Sequence, residues 1–123
     1  MTRLPILVVD DDHAASSALV ALINGRGLPA DAAGDLATAM ALVAQRDYAL
    51  AVLDYEMPEV NGLELFARLR QVRADLTGVL FTGVVTPALL KRAMDAGISR
   101  VLWKPAELEE LLAIVDSHSS SGA

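Results

Sequence analysis

Five short apolar segments alternate along the chain with longer segments whose apolar residues recur at helical spacing. An unbroken apolar run this short, bounded by turn residues, is typical of a strand that is buried on both faces. Strands that alternate with helices through short connections form right-handed crossovers, which build a parallel sheet covered by helices on both faces. The alternation therefore predicts an α/β fold around one parallel sheet.

The boundaries of these segments follow from turn and capping residues. Strands are predicted over residues 4–9, 28–33, 48–53, 78–81 and 99–103, and the short, Ala-rich second strand is expected at a sheet edge. Helices are predicted to start after Asp12, Asp35 and Gly62, at Pro87 and near Glu107, since Asp favours an N-cap and Pro the first turn. The last helix is predicted to end near Asp116. Residues 1–117 are then one domain, and residues 118–123 a flexible polar tail.

The composition excludes several classes of function. With 123 residues, 54% of them hydrophobic and 21% charged, the chain is globular and not disordered. A net charge of -6 without a basic stripe argues against direct contact with nucleic acid. There is no cysteine for disulfides or thiolate metal sites, and no apolar run approaches the ~20 residues of a membrane span. No signal-peptide pattern is present at the amino terminus, so a cytoplasmic location is expected.

Polar side chains follow four of the predicted strands directly. These residues are Asp10 and Asp11, Asp54, Thr82 and Lys104. Each has an ordinary structural explanation by itself, as a helix cap, a turn residue or a solvated surface charge. Their repetition at strand ends is informative, because the strand ends that precede helices lie along one edge of a parallel sheet, where ligand sites form.

Three neighbouring carboxylates repel one another and therefore require a cation. Oxygen ligands without cysteine or a histidine cluster favour a hard ion, Mg²⁺ or Mn²⁺. A carboxylate beside such an ion can attack a phosphoryl group, while an ammonium from Lys104 and a hydroxyl from Thr82 position the phosphoryl oxygens. Gly83, with no side chain, would leave room for the incoming group.

The order and spacing of these motifs resemble the receiver domain of two-component response regulators along essentially the whole chain. The matching runs are VVDDD at residues 8–12, LDYEMP at 53–58, NG at 61–62, FTG at 81–83 and WKP at 103–105. The resemblance implies a flavodoxin-like, doubly wound sheet of five parallel strands in the order 2-1-3-4-5 with five helices. It also implies that Asp54 accepts a phosphoryl group from a phosphohistidine of a sensor histidine kinase or histidine phosphotransfer protein.

The resemblance assigns roles to the other site residues as well. Asp10 and Asp11 match the acidic pair that holds Mg²⁺ together with Asp54, and Glu56 matches the position whose backbone carbonyl completes the metal site. Thr82 and Lys104 match the switch hydroxyl and the lysine, and a cis peptide is implied before Pro105. Such a domain catalyses its own phosphorylation and dephosphorylation, so it is not expected to be a conventional turnover enzyme.

The chain departs from the family pattern at three places. Val101 stands where the family usually has Tyr or Phe, and Trp103 stands next to the lysine. An aliphatic side chain cannot make the inward swing that couples the aromatic ring to the hydroxyl in the family. Asn61 replaces the commoner Asp before Gly62 and is expected in a turn with positive φ. The last helix carries acidic residues and no Lys or Arg, so the domain is expected to be a monomer or weak dimer.

Alternatives remain open from the sequence. A receiver-like docking module without phosphorylation is one, with Val101 in its favour. A phosphatase of the haloacid dehalogenase class would use Asp10 as nucleophile, but residues 13–14 depart from its pattern. Flavin binding would require a phosphate loop where three aspartates stand. The output partner is unknown, and the domain could act alone or as part of a hybrid kinase or longer regulator.

Overall fold

The computed structural model describes residues 3–121, with side chains described through residue 118. Five parallel strands form one sheet in the order β2-β1-β3-β4-β5. Their bounds are β1 Ile6–Val9, β2 Ala30–Ala33, β3 Leu50–Leu53, β4 Gly78–Thr82 and β5 Arg100–Trp103. The predicted sheet order and the edge position of the second strand are confirmed.

The first three strands each begin two residues later than predicted, and in the first two a proline accounts for the later start. Pro5 and Pro29 have no N–H to donate to a sheet ladder, so each stands just outside its strand. Their carbonyl oxygens still accept hydrogen bonds at 2.9 Å, Pro5 from the N–H of Ala49 and Pro29 from the N–H of Ile6. At the amino-terminal edge of the sheet, the two prolines therefore take part in backbone hydrogen bonding as acceptors only.

Five helices connect and cover the strands. Their bounds are α1 His13–Gly25, α2 Leu36–Gln45, α3 Gly62–Val72, α4 Pro87–Asp95 and α5 Leu108–Ser121. Helix α5 continues beyond Asp116, so its predicted end is too early. Residues 118–121 therefore belong to a helix, while Gly122 and Ala123 lie outside the described residues, and a flexible tail there stays a prediction.

Alternate residues of the strands enter two separate hydrophobic cores. Leu7 and Val9 pack with α2, α3 and α4, whereas Ile6 and Val8 pack with α1 and α5. This division follows from the strand, in which successive side chains point to opposite faces. In the described part of the chain, no helix combines the length and apolar character of a membrane span.

The helix starts are capped largely as predicted. Asp12 accepts a hydrogen bond from the N–H of Ala15, and Asp35 accepts one from the N–H of Thr38. Asn61 is the exception, because it has φ -80° instead of the expected positive φ. Its side chain caps α3 and accepts from two backbone N–H groups, which requires the extended backbone that an N-cap adopts.

Gly62 lies unusually close to the end of β3. Its N–H donates to the carbonyl of Tyr55 at 2.8 Å, and a Cβ added at Gly62 would stand 2.4 Å from the backbone oxygen of Asp54. Such a contact is with backbone, which cannot turn away as a flexible side chain can. The start of α3 can therefore pack against the segment after β3 only if residue 62 is glycine.

Gly62→Ala is expected to lower the free energy of unfolding by about 1–3 kcal/mol, the usual cost of overpacking. Urea unfolding followed by circular dichroism measures this cost. Gly25→Ala is the matched control, since a Cβ there meets nothing within 4 Å and φ is not positive. Equal stability of both variants would contradict the close approach.

Candidate functional site

The carboxyl edge of the sheet holds the polar residues that follow the strands. The N–H of Asp10 donates to Ala33 at 3.1 Å, and the N–H of Asp54 donates to Val9 at 2.9 Å. The N–H of Lys104 donates to the carbonyl of Thr82, also at 2.9 Å. These bonds continue the sheet ladder by one residue beyond the strands. Consequently the positions of these side chains are determined by the register of the sheet and not by the conformation of a loop.

Lys104 supplies the positive charge of the site. Its Nζ lies 2.5 Å from Oδ2 of Asp10 and 3.8 Å from Oδ1 of Asp54. The Asp10 residue is only 5% exposed, so its carboxylate is removed from most of the solvent that would otherwise stabilise it. The remaining oxygen of Asp10 accepts the N–H of Asp12 at 2.9 Å. A buried carboxylate with both an ammonium and an N–H partner is electrostatically satisfied.

Three carboxylates converge beside this ion pair. Asp10, Asp11 and Asp54 each offer one oxygen, and these oxygens lie within 4.8 Å of one another. Ligand oxygens on opposite sides of an octahedral Mg²⁺ are about 4.2 Å apart, because each lies about 2.1 Å from the ion. The oxygen-only ligand set and its spacing therefore fit Mg²⁺ or Mn²⁺ after small adjustments.

Burial raises the pKa of the Asp54 carboxyl above its usual range. The ammonium of Lys104 opposes this effect, and the carboxylate of Asp10 adds to it. Hydrogen bonds from the Thr82 hydroxyl and the Tyr55 N–H to the Asp54 carboxylate also lower the pKa. Asp54 is thus a half-buried carboxylate whose charge the neighbouring donors compensate only in part.

Thr82 stands at the end of β4, fully buried next to the carboxylates. Its Oγ1 also accepts a hydrogen bond from the N–H of Val84 at 3.4 Å.

Glu56 lies exposed in the loop after β3, and its role as a carbonyl ligand stays a prediction. The peptide bond between Lys104 and Pro105 is cis, which confirms the prediction made from the sequence.

The structure brings Asp10, Asp11, Asp54, Thr82 and Lys104 to one place, as their positions after the strands predicted. Two further features were not predicted from the sequence. The Tyr55 N–H is a donor to the Asp54 carboxylate, a contact that has no sequence signal because every residue but proline carries that group. A cavity of about 370 Å³ adjoins the site below α1, where Ala15, Ser16 and Ala18 line it. Residues Asp10, Asp54 and Lys104 also line this cavity, and no local sequence pattern indicates it.

A doubly wound parallel sheet in the order 2-1-3-4-5, with this acidic edge, defines a flavodoxin-like α/β protein with a candidate cation site. The sequence model of the response regulator receiver domain family matches residues 6–116, so the chain belongs to this family. The phosphatase alternative and the flavin-binding alternative are therefore not supported.

Curated relatives are response regulators of greater length. The chain is 31% identical to the DNA-binding transcriptional regulator NtrC of Azospirillum brasilense over 94% of its own length, which is 24% of that protein. It is 37% identical to response regulator MprA of Mycobacterium sp. (strain KMS) over 88% of its length, which is 47% of that protein. The chain thus spans less than half of the relatives it matches.

Solved structures show the same fold. The signal receiver domain of an HD domain-containing protein from Pseudomonas fluorescens Pf-5 has a TM-score of 0.83 and 30% identity, with 98% of this chain and 99% of that chain covered. The receiver domain of Francisella response regulator 1452 has a TM-score of 0.86 at 22% identity, covering 98% of this chain and 99% of that one. The second likeness concerns the fold alone.

Proposed function

We propose that this receiver domain accepts a phosphoryl group on Asp54, with Mg²⁺ bound, from a phosphohistidine of a sensor histidine kinase or a histidine phosphotransfer protein. The observation that carries the proposal is the convergence of three carboxylates around a half-buried Asp54, with Lys104 beside them. Such an arrangement combines a nucleophile with groups that neutralise the charge of a phosphoryl group.

Each side chain has a distinct task in the transfer. A carboxylate oxygen of Asp54 attacks the phosphorus, the phosphorus–nitrogen bond breaks, and the imidazole of the partner leaves with the electron pair of that bond. Asp10 and Asp11 would hold Mg²⁺ with Asp54 and the carbonyl of Glu56. When bound, Mg²⁺ supplies charge neutralisation to the phosphoryl oxygens.

Lys104 and Thr82 complete the surroundings of the phosphoryl group. The ammonium of Lys104 is 3.8 Å from an Asp54 oxygen, close enough to reach a phosphoryl oxygen attached there after a small movement. The Thr82 hydroxyl lies next to the same carboxylate and can donate to a second oxygen. Donors that are already in place cost little reorganisation during the reaction.

Phosphorylation is proposed to act as a stoichiometric switch of partner binding and not as a turnover reaction. The longer relatives carry further sequence beyond the region that matches this chain. We therefore propose that the modified domain changes its affinity for an output partner, in the same protein or another. The expected location in the cytoplasm stays a prediction.

The proposal predicts that the purified protein gains the mass of one phosphoryl group when incubated with acetyl phosphate and Mg²⁺. Intact-mass spectrometry measures the gain, and fragmentation locates it on the peptide that contains Asp54. Chelation of Mg²⁺ is expected to prevent the gain, because the carboxylates then repel the donor. A protein that stays unmodified at saturating donor and Mg²⁺ would instead support the docking module without phosphorylation.

A further inference from the structure

Trp103 occupies an unusual place in the sheet. It is the last residue of β5 and lies directly opposite Thr82 in the register with β4. Trp103 and Val101 point to the same face of the sheet, because side chains alternate along a strand. Val101 packs against the core on that face, whereas Trp103 is 55% exposed. The indole therefore covers the end of β4 from outside the core.

The indole makes a specific contact with the loop after β4. Its Nε1 donates a hydrogen bond to the carbonyl oxygen of Gly83 at 3.3 Å. Gly83 begins residues 83–86, which connect β4 to α4 without regular structure. A Cβ at Gly83 would meet nothing within 4 Å, so side-chain packing does not hold this residue in place. The hydrogen bond from Trp103 therefore restrains Gly83 where side-chain packing does not.

This loop is also attached to the hydroxyl of the site. The N–H of Val84 donates to Oγ1 of Thr82, so the hydroxyl and the loop backbone are linked. A movement of Thr82 toward a phosphoryl group on Asp54 would draw Gly83 and Val84 with it. The same movement would stretch the bond between Gly83 and Trp103, which lies on the β5 side of the loop.

We propose that Trp103 is a positioning residue of the switch: its indole N–H holds Gly83 in the unmodified arrangement and opposes the movement of Thr82 toward a phosphoryl group on Asp54. This inference rests on the proposed function. It gives the chain a link between the Thr82 hydroxyl and an aromatic ring two residues further along β5 than Val101, whose aliphatic side chain offers no ring.

Trp103→Phe tests the proposal, because it keeps an aromatic ring and removes the donor. At subsaturating acetyl phosphate with Mg²⁺, the ratio of modified to unmodified protein is expected to rise about fivefold, the factor that one ordinary hydrogen bond carries. In the Thr82→Ala background the same substitution is expected to change nothing. A merely structural role of the ring would not depend on the Thr82 hydroxyl.

A second measurement does not require phosphorylation. In the unmodified protein, Trp103→Phe is expected to increase hydrogen exchange of the Val84 amide about fivefold. Met94→Leu is the control, because Met94 is another exposed apolar residue and lies on α4 outside the loop. Exchange that is the same in both variants would overturn the proposal, whether or not the domain accepts a phosphoryl group.

The two measurements also separate this inference from the proposed function. If the wild-type protein gains no phosphoryl mass, the proposed function fails and the switch role of Trp103 fails with it. If the wild type is modified but Trp103→Phe leaves the modified fraction unchanged, only the inference about Trp103 is overturned. A fivefold rise that persists without the Thr82 hydroxyl would also overturn it, since the link through Thr82 would be absent.

Discussion

Asp54→Asn is expected to abolish phosphoryl uptake completely. The asparagine amide has nearly the shape of the carboxylate but is not a nucleophile toward phosphorus. The neighbouring carboxylates do not replace it, since Asp10 is buried and paired with Lys104 and Asp11 is exposed at the rim. Intact-mass spectrometry after incubation with acetyl phosphate and Mg²⁺ measures the loss.

Asp95→Asn is the matched control for this substitution. Asp95 is an exposed residue of α4 that pairs with Lys91 one helical turn away, so its replacement is expected to leave uptake unchanged. Full modification of Asp54→Asn at another residue would contradict the assignment of Asp54 as the acceptor. It would support Asp10 or Asp11 as the nucleophile instead.

Asp54→Asn is also expected to change the stability of the folded protein, in a direction set by the pKa of Asp54. Burial raises this pKa in the folded protein, so the folded state binds the proton more tightly than the unfolded state does. A group of this kind makes a protein less stable as the pH rises through its folded pKa. Without Mg²⁺, Asp54→Asn is therefore expected to unfold at a higher temperature than wild type at neutral pH. The difference should shrink as the pH falls toward the usual carboxyl range, and thermal melts over a pH series measure it.

Lys104→Met is expected to have the second-largest effect, on both transfer and stability. Loss of the ammonium removes a charge that is 3.8 Å from the Asp54 carboxylate, so the transfer rate should fall about a hundredfold, as for other losses of one stabilising donor. The buried Asp10 carboxylate would keep only the N–H of Asp12 as a partner. Breaking one half of a buried pair costs about 3 kcal/mol, which urea unfolding without Mg²⁺ should show.

Lys91→Met controls for the loss of a lysine. Lys91 is 80% exposed and its pair with Asp95 is solvated, so the expected stability change is within about 0.5 kcal/mol. Mg²⁺ should recover part of the stability of Lys104→Met, since a cation among the carboxylates relieves their repulsion. If Lys104→Met were as stable as Lys91→Met without Mg²⁺, the pairing of Lys104 with Asp10 would not hold in solution.

The strand ends were the most predictable part of the site. An apolar run followed at once by Asp, Thr or Lys is a local pattern, and the edge of a parallel sheet collects such residues whatever the lengths of the helices between them. Exact strand starts were predicted less well. The predicted first and second strands ran through Pro5 and Pro29, which lack the N–H group that a sheet ladder requires, and the observed strands begin after them. The conformation of Asn61 was predicted wrongly, since a turn residue and a helix cap use the same side chain with different backbone angles.

The sequence by itself determined the alternation of strands and helices, the acidic and basic residues at the strand ends, and the family. The first two depend on residues that are close together in the chain, and the family depends on the order and spacing of short local motifs. Only the tertiary structure decided that Lys104 lies nearer to Asp10 than to Asp54, that Gly62 must pass the backbone of Asp54, and that Trp103 holds Gly83. These contacts join segments that are distant in sequence, and their distances are set by the hydrogen-bonded register of the sheet, which no local pattern specifies.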